Sequence, residues 1–501
     1  MSLIRLRGPV LFSKIILLSK KHPRQLLFCF DRSFQTTSTN NEEIINLSNQ
    51  VRMKAADAFR QEISQFRNLT DEMKIGPSME VYERLKPLKS LTTSNLQNLV
   101  LAITKKQLQQ SFKEPDPYLV QCLKDVTVYI TENQQVCSAS LWTSILNAYV
   151  CFRQNEKCPL VAEMALSWDQ GCLTDQQQTN STGLLYGHIL KCLLLGNVDA
   201  SKRKMFLEYA KSRLGDENSS WYKFFLYTLA AIQNSESAQP KLTFLIQRNA
   251  LSQQQSQIAF DIFTRLSCFD QGLRYLNQPG LTKNSLPSNF IFANFLKNYW
   301  TQTHNTAKFL EAINNYCSIA KYSSTRLLNL TLGILFRAIP AESDKKSVES
   351  LLSQLSDYLS KLHAGKPNIV TANTLISGAC LLKDKKWYDL GMHFIDQFGL
   401  KPTVVTFRSS FIAFGALSIE LAGIQKLWNS LNEFLASKSM TLSRRDYEAV
   451  RKCVLELSAR KDASEYIEWF NSLLEKERKL DVSDLYLQEQ SEQPSLKEAG
   501  Q

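Results

Sequence analysis

Cations supply most of the chemistry that spacing makes visible in this chain. Lys383, Lys385 and Lys386 fall together, as do Arg444, Arg445, Arg451 and Lys452. Clustered cations of this kind meet phosphate oxygens. Charge runs more commonly form solvated helix faces, so the clusters alone choose no ligand. Other chemistry has little support. The five histidines (His22, His188, His304, His363, His393) are scattered. No H-E-x-x-H pair, G-x-S-x-G elbow, Walker loop or G-x-G-x-x-G turn occurs. The eleven cysteines include no C-x-x-C and are irregularly spaced, as at Cys151 and Cys158. That pattern suits reduced thiols on buried helix faces better than a metal or disulfide framework. Carboxylates fall at surface-like positions. We therefore expect no enzyme, no metal and no cofactor. Trp142, Trp221, Trp300, Trp387 and Trp428 are expected in the core.

The elements that must position the cations are organised around residues 365–415. One phrase occurs there twice, KPNIVT at Lys366–Thr371 and KPTVVT at Lys401–Thr406, with starts 35 residues apart. Pro367 pushes Lys366 away from helical backbone and supports a turn. Ile369, Val370, Ala372, Leu375, Ile376, Ala379 and Leu382 then form a stripe at helical spacing. Asp384 and Lys385 are read as a polar turn. Trp387, Leu390, Gly391, Phe394, Ile395 and Phe398 form a second stripe, and Gly399 follows where a left-handed residue closes a helix. Neither helix can bury its stripe alone, so neighbours must stack. A fixed period with two helices per unit predicts an all-α, right-handed superhelical solenoid of helix–turn–helix repeats.

Ile369-Val370-Thr371-Ala372-Asn373-Thr374-Leu375-Ile376 and Gly399-Leu400-Lys401-Pro402-Thr403 carry a resemblance to the pentatricopeptide repeat family, in its degenerate fungal mitochondrial form. The family unit is a 35-residue helix pair with a VVTYNTLI-like opening and a GxxPD-like close. Here the inter-helix turn is longer and the closing turn shorter. The resemblance implies single-stranded RNA as ligand, one base per repeat, read by two or three side chains. It maps the readers onto Asn373 and Thr403, with Val370 and Val405 clamping the base faces. The preceding unit offers Asn329 and Asn368. Amides both donate and accept, which suits base edges, and asparagine as first reader leans toward pyrimidines. Ala293 and Arg408 depart from the code, so contact with the RNA backbone or none is expected of their units. Helix capping or an inter-helix hydrogen bond is the competing role for Asn329 and Asn373.

Repeat openings follow at Asn289, Thr325, Ile369, Val404 and Arg444, with starts 36, 44, 35 and 40 residues apart. Weaker candidates lie at Leu141–Leu146, Ser181–Leu195, Trp221–Ile232 and Gln257–Leu266. A chain of 501 residues is long for one globule but not for a solenoid. Its 17 Gly and 14 Pro favour long helices over sheet and turns. No apolar run reaches membrane-spanning length; Leu184–Leu195 is interrupted by His188 and Lys191. The net charge of +12 is about +6 over residues 1–40, about −4 over 481–501 and about +10 between them. The body's excess fits a nucleic-acid surface without requiring one. Arg5, Arg7, Lys14, Lys20, Lys21, Arg24 and Arg32, with Asp31 as the only acid before Ser33–Thr39, give the composition of a mitochondrial transit peptide.

The expected organisation is a transit peptide at 1–40, a helical region at 41–112, degenerate helical repeats at 113–280, clearer repeats at 281–479 and a disordered tail at 480–501. The expected function is binding of organellar transcripts in the mitochondrial matrix, for their stability, processing or translational activation. The rival expectation is a protein-binding scaffold associated with the mitoribosome or with complex assembly.

Overall fold

The computed structural model describes residues 41–109, 114–171, 179–215, 219–233, 251–321, 324–342, 344–364, 367–459, 464–477 and 480–487. The transit-peptide reading of 1–40 lies outside them. The chain divides into two units, Met1–Leu266 and Ser267–Gln501. In the first run α1 (Asn41–Asp71), α2 (Ile75–Leu85), α3 (Thr93–Gln109), α4 (Pro117–Glu132), α5 (Ala139–Cys151), α6 (Cys158–Gly171), α7 (Thr179–Leu195), α8 (Ala200–Leu214), α9 (Ser220–Gln233) and α10 (Gln253–Arg265). In the second run α11 (Phe269–Leu276), α12 (Asn289–Thr303), α13 (Thr306–Ala320), α14 (Thr325–Ala338), α15 (Lys345–Ala364), α16 (Ile369–Leu382), α17 (Lys385–Gln397), α18 (Val404–Ala416), α19 (Leu421–Ser437), α20 (Arg444–Ser458) and α21 (Ser464–Glu475). The described residues contain no strand.

Local chemistry sets where the helices begin. Ser138, Ser252, Ser324, Asn368, Thr403 and Ser443 each stand in extended backbone just before a first helix. Capping boxes close the starts of α10, α16, α18 and α20, and satisfy backbone N–H groups that the helix itself leaves open. The turn between α16 and α17 is one residue shorter than the sequence suggested. Lys383 is left-handed, and Asp384 caps α17 by accepting from the Lys386 N–H at 3.0 Å, so Lys385 is already helical. Gly399, at φ +57°, closes α17 as expected.

First helices stack on first helices in both units. In the first unit α3 meets α5, α5 meets α7 and α7 meets α10; in the second the order is α12, α14, α16, α18, α20. The sequence showed no repeat at 41–112, yet α3 joins the stack, with Thr92 and Asn95 bonded reciprocally at its start. The apolar stripes are buried between layers. Phe292 stacks on Tyr316 at 4.1 Å, and Phe411, Trp428, Tyr447 and Phe470 share one core. Residues 480–487, expected to be disordered, are ordered. Val482, Leu485 and Leu487 are buried in that same core, and Asn471 Nδ2 donates to the Leu487 carbonyl at 2.9 Å. Apolar residues spaced among the acids supply this anchor; 488–501 lie outside the described residues.

Two glycines permit close helix contact. A Cβ on Gly391 would sit 3.0 Å from the Ala372 carbonyl, between α16 and α17. One on Gly415 would sit 2.8 Å from the Cys453 Cα and 2.9 Å from its carbonyl oxygen. Backbone cannot yield as a side chain can. Gly415→Ala is therefore expected to destabilise by about 2 kcal/mol, although alanine in an open helix would gain up to about 1 kcal/mol. Urea unfolding of the two proteins checks the sign.

Candidate nucleic-acid interface

The stacked first helices of the second unit place equivalent positions in a row. The second residue after each cap is Phe290, Arg326, Val370, Val405 and Arg445, and all five are exposed. Phe290 is 56% exposed, Val370 54% and Val405 53%. The Arg326 guanidinium lies over the Phe290 ring, 4.3 Å from its centroid. The fifth residue after each cap is Ala293, Asn329, Asn373, Arg408 and Glu448. The second and fifth positions after the caps thus recur from one first helix to the next.

The fold brings Asn329 and Asn368 together from 39 residues apart. Asn329 Nδ2 donates to Asn368 Oδ1 at 3.2 Å. That same oxygen caps α16, accepting from the N–H groups of Val370 at 3.0 Å and Thr371 at 3.1 Å. Asn329 Oδ1 is buried without a partner among the described residues. The junction therefore keeps an acceptor, while the Asn368 amide nitrogen, on an exposed residue, keeps its donors. Of the roles weighed for Asn329, the structure contains the inter-helix hydrogen bond.

Asn373 lies one repeat further on. Its Oδ1 is buried without a partner among the described residues. Thr403 caps α18 in a reciprocal pair with Thr406, whose Oγ1 accepts from the Thr403 N–H at 3.0 Å. Ala293 is buried. Arg408 is tied within the fold at this edge: Nε donates to Asp446 Oδ1 at 2.7 Å and Nη2 to Ser443 Oγ at 3.0 Å. The carboxylate lies 38 residues away in sequence, so no local pattern announced it.

The sequence-singled cations are largely engaged. Lys385 pairs with Asp389, Lys386 with Asp384, and Lys383 approaches Glu456 at 3.8 Å. Arg444 meets Glu448 and Asp484, and Arg451 donates to the Leu485 carbonyl. These exposed pairs exchange readily with water and contribute little each. The five tryptophans named from the sequence are buried. Among the described residues no His, Cys, Asp and Glu group has metal-site geometry, the cysteines are free thiols, and no helix is long and apolar enough to cross a membrane.

Two constellations in the first unit escaped the sequence reading. Gln97, the fifth residue after Thr92, donates to Ser140 Oγ at 2.7 Å and Ser144 Oγ at 3.4 Å. It repeats the contact from one first helix to the next seen at Asn329; the Thr92-Thr93-Ser94 start was its only signal. Deeper in the stack, Lys191 Nζ meets Asp261 Oδ2 at 2.6 Å and Asn147 Oδ1 at 3.2 Å. Arg265 Nε meets Asp261 Oδ1 at 3.0 Å. Burial alone would raise the Asp261 carboxyl, but Lys191 and Arg265 outweigh it and hold the pKa at about 2. Beside them burial, then Lys191, pushes the His188 imidazole down to about 3.

Stacked, capped helix pairs with a repeating edge register define a helical-repeat protein. No family model matches the chain. It is 27% identical over 417 residues to pentatricopeptide repeat-containing protein 8, mitochondrial, of Schizosaccharomyces pombe, covering 82% of this chain and 86% of that one. Its fold is similar to that of yeast Rmd9p, solved in complex with a 16-nucleotide target RNA, at a TM-score of 0.52 and 14% identity, covering 83% of this chain and 90% of that one. The similarity noted at Ile369–Ile376 thus extends over most of the sequence, and the chain is a helical-repeat protein similar to a pentatricopeptide repeat protein.

Proposed function

We propose that this protein binds single-stranded RNA along the first-helix edge of its second unit, and that it does so in mitochondria on organellar transcripts. The observation that carries the reading is the alternation on that edge. Exposed Phe290, Val370 and Val405 offer faces for bases; between them Asn368 keeps an amide nitrogen on an exposed residue, and Asn329 and Asn373 hold buried amide oxygens without a partner among the described residues. A base edge needs donors and acceptors held at fixed spacing, and stacked first helices supply that spacing. The basic body and the transit-like composition of 1–40 agree with an RNA ligand and a mitochondrial site. So do the mitochondrial name of the fission-yeast relative and the RNA held by Rmd9p. Occupancy is the mechanism: bound RNA is shielded from nucleases or kept single-stranded, which serves stability, processing or translation.

Asn373→Ala tests the reading. It removes no hydrogen bond found among the described residues, so thermal unfolding should shift little. Affinity for RNA recovered by crosslinking in mitochondria should fall about tenfold, the worth of roughly one hydrogen bond. Copurification of mitoribosomal proteins with no crosslinked RNA would overturn it in favour of a protein scaffold.

A further inference from the structure

We propose that Arg408 forms a guanine-selecting subsite, next to the positions where Asn329 and Asn373 meet bases; this rests on the RNA-binding reading above. Arg408 holds the same register on α18 that the two asparagines hold on α14 and α16. Its guanidinium is fixed by a buried support. Asp446, whose side chain is 1% exposed, takes Nε on one oxygen. Its other oxygen accepts from the Ser443 N–H and Oγ, each at 2.7 Å, in the capping box of α20. Ser443 Oγ also receives Nη2 at 3.0 Å. Every member of the support is thus held by another.

The Nε–Nη2 edge is consumed by these bonds. The end-on Nη1–Nη2 fork keeps its N–H groups, and the Arg408 side chain is 25% exposed. A fork of donors alone, locked in orientation, fits two adjacent acceptors. Guanine presents O6 and N7 in that arrangement, whereas adenine sets an N6 donor beside N7. Uracil has no two adjacent acceptors. Val405 on one side and Arg445 on the other are exposed at the clamp register. An apolar face and a guanidinium plane can flank a large purine ring. The carboxylate makes the site more specific: a free arginine would swing to phosphate, but this one is held by Asp446 at the reader position.

The test uses the full chain and a pool of random single-stranded RNA. Wild-type selection should enrich guanine at one nucleotide of the bound motif. Arg408→Lys keeps the charge but loses the fork, so the guanine preference should fall about tenfold while the salt dependence of binding stays. The double variant Arg408→Gln with Asp446→Asn retains a neutral hydrogen-bonded contact without leaving a buried carboxylate unpaired. It should lose the guanine preference too. Asn373→Ala should alter a different nucleotide. Enrichment of RNA with no guanine that responds to Arg408, cytosine outranking guanine there, or a loss equal for all four bases as a phosphate contact gives, would each overturn the subsite. Failure to enrich any RNA would overturn the RNA-binding reading itself.

Discussion

Lys191→Met is expected to destabilise the first unit by about 3 kcal/mol, the typical cost of breaking a buried ion pair from one side. The Lys191 side chain is 3% exposed and that of Asp261 15%. Methionine fills the volume of the lysine stem but leaves the Asp261 carboxylate facing Arg265 alone, on its more exposed side. The acid's pKa should then rise from about 2, because the larger of the two charges opposing its burial is gone. Arg265→Gln should cost less, about 1 kcal/mol, since Lys191 remains and the arginine side chain is 31% exposed. Lys191→Met combined with Asp261→Leu should recover much of the stability, as buried pairs replaced by apolar residues often do. Chemical denaturation of the four proteins, with hydrogen exchange of the α7 and α10 amides, measures each value. A double variant no more stable than Lys191→Met would mean that the cost lies in packing and not in the orphaned charge.

The ion pair also marks the limit of what the linear sequence conveys. The unit at Ile369–Phe398 was legible because its determinants are local. Pro367 precedes the helix, the Asn368 cap lies three residues from Thr371, the two stripes keep helical spacing, and Gly399 ends the second helix. Val370 and Val405 were legible as equivalent positions because the KPNIVT and KPTVVT copies align them, and both are exposed. What stayed hidden joins one repeat to the next. Arg408 read as a departure from the code, and its partner Asp446 lies in the following first helix. Lys191 and His188 looked like mere interruptions of an apolar run, and Asp261 stands 70 residues beyond Lys191. Variable connectors shift the repeat period, so equivalent positions in neighbouring first helices cannot be paired by counting. The cap residue is the better ruler. Counted from Ser138 and Ser252, Asn147 and Asp261 are both the ninth residue, and Lys191 bonds to both. Three stacked helices thus share one polar seam that the apolar pattern concealed.

His188 should make the first unit sensitive to mild acid. Its Nδ1 is buried without a partner among the described residues, while His304 and His393 are exposed. Burial first, and then the Lys191 ammonium, depresses its pKa to about 3; the Asp261 carboxylate opposes this only in part. The sign follows from proton uptake. Below an ordinary histidine pKa of about 6.5 the unfolded chain binds a proton that the folded protein refuses. Stability is therefore complete above that pH and falls as the pH drops toward 3, by up to about 1.4 kcal/mol per unit. Asp261 adds its own loss only at lower pH, because its carboxyl, held at about 2, keeps its advantage until unfolded aspartates begin to protonate near 4. The interval from about 6 to 4.5 thus isolates the histidine. His188→Leu should flatten the dependence of unfolding free energy on pH in that interval, while wild type loses stability there. Hydrogen exchange of the α7 amides at pH 6 and 4.5, corrected for intrinsic rates, should show the same difference. Parallel slopes in the two proteins would show that the imidazole takes up its proton in the folded state, with Asp261 close enough to stabilise the charge against Lys191.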